Sequence, residues 1–152
     1  MIRSHDKRTI LMVDDDPDDF FLVRNAFKAT GLRGEVQQVT GGEEMLDYLY
    51  RRGKFKDLEE PPVPCVILLD LNMPGKNGWE VLGEIKRNPC YRRIPIVVFT
   101  TSGEEEDISG SYELGASSYI SKPPTFEALV EVMKTLGEYW LKVVSLPMQS
   151  FI

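Results

Sequence analysis

Ile10-Leu11-Met12-Val13-Asp14-Asp15-Asp16-Pro17 decides the fold: four apolar residues run straight into three carboxylates and a proline. A buried strand that ends in successive carboxylates sets them against one another. Two unit charges about 4 Å apart at an effective dielectric of ~20 repel by roughly 4 kcal/mol. Folding tolerates that where a cation, a proton or a hydrogen-bond network balances it. Asp16 has a simpler reading. Followed by Pro17, Asp18 and Asp19, it has the form of a helix N-cap with an N1 proline and an acidic first turn. Asp14 and Asp15 lie too close to the strand for that role and read as a cation site.

Val66-Ile67-Leu68-Leu69 repeats the pattern as a short continuous apolar run, the form of a parallel strand covered on both faces. It ends at Asp70, followed by the turn-rich Leu71-Asn72-Met73-Pro74-Gly75-Lys76-Asn77-Gly78. Pro95-Ile96-Val97-Val98-Phe99 ends at Thr100, with Thr101 and Ser102 next, and Ser118-Tyr119-Ile120-Ser121 ends at Lys122-Pro123-Pro124. Each strand finishes in a different polar group: acid pair, acid, hydroxyl, ammonium. Ligands of open α/β sheets bind outside the carboxyl ends of the strands, so these four endings together mark one site.

Helical spacing between the strands predicts helices over 17–30 (Phe20, Val23, Phe27, stopped by Gly31) and 42–52 (Met45, Leu46, Leu49). Further helices are predicted over 79–88 (Trp79, Leu82, Ile85), over 104–115, and from Phe126 behind a Thr125 N-cap, with Leu129, Met133 and Leu136 inside. A strand near Glu35 to Val39 completes five β/α units. The apolar stripes read as core.

Length and composition set the bounds. At 152 residues the chain suits one domain with a sizeable core. Its formal charge of −6, from 18 Lys and Arg against 24 Asp and Glu, argues against direct nucleic-acid binding, which wants a basic face. No apolar stretch approaches the ~20 residues of a membrane span, and no signal peptide precedes the first strand, so a cytoplasmic location is expected. Met1 to Lys7 reads as a polar tail. Cys65 and Cys90 read as two ordinary thiols at the N-terminal edge of the sheet, opposite the acids. Arg51 to Pro64, with Gly53, Pro61, Pro62 and Pro64, reads as a connecting loop.

These residues resemble the receiver domain of two-component response regulators. The likeness covers about residues 8–136 and rests on the acid pair, Asp70 with its Asn72-Met73-Pro74-Gly75 loop, Thr100, and Tyr119 three residues before Lys122-Pro123. The chain is also similar to the single-domain subgroup associated with bacterial and cyanobacterial phytochromes. That likeness rests on Arg51 to Pro64, Thr100-Thr101-Ser102, Ser111-Tyr112-Glu113-Leu114 and the ending from Tyr139 to Pro147. The resemblance implies an α/β, flavodoxin-like, doubly wound sheet of five parallel strands in order 2-1-3-4-5 with five helices. It divides the chain into a tail (1–7), a receiver domain (8–136) and a C-terminal extension (137–152). It further implies that Asp70 takes a phosphoryl group from a sensor histidine kinase, with Mg²⁺ or Mn²⁺ held by Asp15, Asp70 and the Asn72 backbone carbonyl, and by Asp14 through water. Three carboxylates and one ammonium leave a charge that one divalent cation cancels. Thr100 and Lys122 would contact the phosphoryl oxygens. A cis Lys122-Pro123 bond would turn that ammonium inward. Tyr119 would be an inward/outward switch coupled to Thr100. The protein would then be a signalling molecule that catalyses only its own phosphotransfer and dephosphorylation, with a downstream protein as its target.

Two other functions fit parts of the pattern. A haloacid-dehalogenase-type phosphatase also forms an aspartyl phosphate, but it wants a second Asp two residues after the nucleophile, where Asn72 stands. A flavodoxin-like nucleotide-binding module wants a Ser/Thr/Gly-rich loop after the first strand, where this chain has three aspartates. A degenerate scaffold would lack the acids, Thr100 or Lys122. Beyond Leu136, helical spacing continues through Trp140 to Val143 or Val144, interrupted by Gly137. Tyr139, Trp140, Leu141, Val143 and Val144 make an apolar surface suited to a homodimer interface, the alternative being a tail folded onto its own domain.

Overall fold

The computed structural model describes residues 8–57 and 63–146. The expected tail at 1–7, part of the expected loop (58–62) and the end of the expected extension (147–152) lie outside the described residues. Five strands, β1 (Thr9–Val13), β2 (Glu35–Val39), β3 (Val66–Leu69), β4 (Ile96–Thr100) and β5 (Ser118–Ser121), form one parallel sheet in the order β2-β1-β3-β4-β5. Between and after them run α1 (Pro17–Thr30), α2 (Gly42–Tyr50), α3 (Gly78–Arg87), α4 (Glu105–Leu114) and α5 (Phe126–Glu138). The expected five-unit α/β sheet and its strand order are therefore both present.

The apolar runs are continuous because both faces of the sheet are covered. Successive side chains of a strand point to opposite faces. Leu11, Val13, Ile67, Leu69, Ile96 and Val98 pack under α2 and α3 with Leu46, Leu49, Leu82 and Ile85. Ile10, Met12, Val66, Leu68, Val97 and Phe99 pack under α1 and α5 with Val23, Phe27, Leu129 and Met133. The chain leaves β1 for one neighbour and returns as β3 on its other side, so strand order reverses between β1 and β3. That reversal opens a crevice at the carboxyl ends of both strands.

Local chemistry sets the helix ends. Asp16 caps α1 by accepting the Asp18 N–H at 2.9 Å, with Pro17 at the first position, and Thr125 caps α5 by accepting the Ala128 N–H at 3.1 Å. α2 stops at Tyr50, two residues before the expected end, because Arg51 adopts a left-handed conformation (φ 58°). A short 3-10 turn, Gly53–Phe55, follows it. Asn77 starts α3 one residue earlier than expected, through a reciprocal capping box with Glu80. α5 runs through Gly137 without a break and ends in a π turn, Tyr139–Val143. Gly137 is there for contact, since a Cβ at that position would lie 2.6 Å from Leu32.

Candidate functional site

The site begins where β1 and β3 end side by side. The Asp14 N–H donates to Val39 O at 3.1 Å and the Asp70 N–H to Val13 O at 3.0 Å, so the ladder holds the first residue beyond each strand. Asp14 is 1% exposed, Asp15 faces solvent, and Asp70 is 8% exposed. Oxygens of the three carboxylates all lie within 4.8 Å of one another. Hard, anionic oxygen donors at that spacing suit a divalent cation of the Mg²⁺, Mn²⁺ or Ca²⁺ kind.

β4 and β5 bring the remaining groups. Fully buried Thr100 donates its hydroxyl to Asp70 Oδ1 at 2.8 Å, and the Asn72 N–H donates to the same oxygen at 3.3 Å. The Lys122 N–H donates to Thr100 O at 2.7 Å, extending the β4–β5 ladder by one rung. The Lys122 ammonium donates to Asp14 Oδ2 at 2.8 Å and Asp19 Oδ2 at 2.7 Å, and lies 3.5 Å from Asp70 Oδ2. Its inward course needs no cis bond. The peptide joining Lys122 to Pro123 is trans, a correction to the expected cis geometry, and the ladder bond together with three carboxylates aims the side chain instead.

Burial and charge compete here. Burial pushes the Asp14 carboxyl above its ordinary range, against the opposing pull of Lys122 and the Asp16 N–H, which donates to Asp14 Oδ1 at 2.9 Å. For Lys122 burial favours loss of the proton, but hydrogen bonds to Asp14 and Asp19 and the charge of Asp70 outweigh it and raise its pKa. Asp19 is the member that sequence reasoning missed. It reads as a first-turn helix acid, and as the third residue of α1 it is one whose carboxylate meets Lys122. Counting Asp19, the site holds four carboxylates, three of them on the one ammonium, so a single divalent cation reduces the negative charge without cancelling it.

The remaining expected residues fall nearby or on the tail. Asn72 is exposed, two residues beyond Asp70. Tyr119 is half-buried against the core, and its hydroxyl donates to Ser102 O at 2.9 Å, tying β5 to the turn after Thr100. Tyr139 and Val143 are 51% and 71% exposed, whereas Leu141 is buried and Trp140 packs partly on the α1–α5 core. Leu141 thus leaves the expected apolar surface, because the π turn rotates it toward Leu32 and Phe27. Cys65 and Cys90 are free thiols at the opposite end of the strands, with the Cys65 N–H donating to Thr9 O at 2.8 Å.

Comparison with known proteins places this geometry. Residues 10–134 match the family model described as the response regulator receiver domain. Response regulator Rcp1 of Synechocystis sp. is 38% identical over 95% of this chain and 96% of its own length. The Mn²⁺-bound form of Rcp1 superposes with a TM-score of 0.82, covering 93% of this chain and 99% of that one. The phosphorylated cyanobacterial phytochrome response regulator RcpA, 38% identical over the same shares, gives 0.84. A response regulator in red light signaling of R. palustris, 30% identical, gives 0.87 over 93% of this chain and 99% of that one. No helix among the described residues is long and apolar enough to cross a membrane. Fold, strand-end chemistry and sequence agree: this chain is a signalling protein of the response regulator receiver domain family.

Proposed function

We propose that Asp70 accepts a phosphoryl group from a sensor histidine kinase and that the acyl phosphate changes which partners the molecule binds. The observation that carries this reading is the polarisation of one carboxylate by two neighbours, with the Thr100 hydroxyl at 2.8 Å on one oxygen and the Lys122 ammonium 3.5 Å from the other. Carboxylates are competent nucleophiles toward phosphorus. An Asp70 oxygen bonds to phosphorus as the bond between phosphorus and the kinase imidazole breaks, and the departing imidazole takes up a proton. Asp15, Asp70 and the Asn72 carbonyl would hold Mg²⁺ or Mn²⁺ directly, and Asp14 through water. When bound, the ion offsets the repulsion between an anionic nucleophile and an anionic phosphoryl group.

The chain's own residues do the rest. Thr100 turns its donated proton from Asp70 to a phosphoryl oxygen, and Lys122 pairs with a second oxygen. Phosphorylation adds about one negative charge beyond that of the carboxylate, and three acceptor oxygens. Movement of Thr100 frees space beside Tyr119, and the face made by α4, β5 and α5 changes shape as a population shift. Water attack on the acyl phosphate resets the site, so the only reaction catalysed is on the molecule itself.

The phytochrome-associated relatives support a phytochrome-type kinase as donor, acting in the cytoplasm. Residues 8–136 are the receiver unit and 137–152 an extension that serves a two-fold dimer. Support for the dimer comes from exposed Tyr139 and Val143, with Val144 beside them, and from a groove of about 500 Å³ lined by Ile120, Val132, Leu136 and Trp140. A downstream protein would use the same face.

Intact-mass spectrometry with a small phosphodonor tests the core of this reading. Wild-type protein gains one phosphoryl group only when Mg²⁺ or Mn²⁺ is present, and Asp70→Asn gains none. Uptake by Asp70→Asn at the wild-type rate would overturn it.

A further inference from the structure

At the end of the molecule away from the acids lies a polar cluster of the opposite sign. Arg8 leads into β1, Arg33 sits in the turn between α1 and β2, and Lys142 rides on the π turn after α5. With Gly31, Leu32 and Leu141 they line a cavity of about 320 Å³, and no described residue of its wall is acidic. The cluster is built rather than incidental. The Glu35 N–H donates to Arg8 O at 3.0 Å and joins the Arg33 turn to β1, while buried Leu141 anchors the turn that carries Lys142. Glu35, the acid next to this turn, has its carboxylate engaged by Gln37 at 2.9 Å. Arg8 also reaches the Cys65 thiol. Burial pushes that thiol's pKa up, and the neighbouring guanidinium opposes the rise.

Three cations around one concavity, on a chain of net charge −6, make a locally positive wall that favours an anion. Guanidinium forks match phosphate oxygens in pairs. The volume lies in the range of small-molecule pockets, and Leu32 and Leu141 give it an apolar wall that a bare inorganic ion would leave unused. We propose that this cavity binds a small organic diphosphate or triphosphate of the nucleotide class. The proposal is independent of phosphoryl transfer at Asp70.

Calorimetry on the full chain without divalent cations tests it, with ADP, adenosine and inorganic pyrophosphate as probes. ADP should bind, pyrophosphate more weakly, and adenosine not at all. The double variant Arg33→Gln/Lys142→Gln changes two exposed side chains. It should weaken ADP binding by about tenfold or more, with phosphoryl uptake by Asp70 unchanged. In a Cys90→Ser background, ADP should slow alkylation of Cys65 beside Arg8. Equal ADP affinity in the double variant and the wild type would overturn the proposal, as would pyrophosphate or adenosine binding as tightly as ADP, or no protection of Cys65.

Discussion

Lys122 is shared by Asp14, Asp19 and Asp70, and its two shortest contacts go to the residues other than Asp70. Its removal therefore acts on the acids before it acts on any phosphoryl group. Lys122→Ala leaves Asp14 buried without its cation, a change expected to cost about 3 kcal/mol in the absence of added metal, measured by urea unfolding. Metal affinity should be retained, because the carboxylate donors remain, while the conformational response to phosphorylation weakens. Half-buried Trp79, at the start of α3, can report the metal step by fluorescence. Loss of metal affinity in the variant would mean that the lysine shapes the carboxylates. Tyr48 offers a second residue-scale test. Burial pushes its hydroxyl up to about 12, with the charge of Glu35 adding to the rise. The native state thus holds this proton where the unfolded chain releases it, so stability falls as pH rises from the unfolded value near 10 toward 12. Between about pH 10 and 11 the loss should be roughly 1 kcal/mol, and Tyr48→Phe should flatten that slope in urea titrations.

Elements position these residues, and their ends hold most of the leverage. The Asn77–Glu80 capping box starts α3 right after the Asp70 loop, and Gly78 behind it passes so close to the Asp70 carbonyl and Leu71 Cα that no Cβ fits. Asn77→Ala should lower stability by about 1 kcal/mol in urea unfolding and slow phosphoryl uptake, because the loop carrying Asn72 is pinned from that cap. Intact-mass time courses would show the slowing. Strands, helices and strand-end chemistry were legible because each is written locally: continuous apolar runs, Asp16-Pro17, Thr125, Gly31. What stayed hidden depends on partners distant in sequence. Asp19 looks like any first-turn acid until Lys122 comes to face it. Gly137 reads as a helix weakness until Leu32 packs against it. Leu141 reads as surface because α-helical spacing does not anticipate a π turn, and Lys122 is aimed inward by the ladder together with three carboxylates far from it in sequence.

At the scale of the whole molecule, one sheet separates two chemistries: carboxylates at the carboxyl ends of the strands, and a basic cavity near their amino ends. Exposed Tyr139 of the tail lies beside β5 and α5, and Tyr119 ties β5 to the turn after Thr100. Light scattering at micromolar concentration should report a dimer for the full chain, with a phosphoryl mimic shifting the balance. Tyr139→Ser/Val143→Ser should give a monomer that still takes up phosphate at Asp70. A full-length chain that is monomeric in both states would exclude dimerisation. The four-residue β5 has a last consequence, for how the chain tolerates changes in length. Tyr119 and Lys122 take their faces from the register that pairs Val98 with Tyr119 and Thr100 with Ser121. One residue inserted or deleted between them would reverse a side chain's face and break two roles together. The turn exposed at Cys90, at the other end of the strands, sets the register of neither residue, and Lys86 holds its far side through Arg92 O and Ile94 O at 2.8 Å. Doubling a loop there costs only about 0.6 kcal/mol in closure entropy, which makes it the place to graft a reporter domain onto a working receiver.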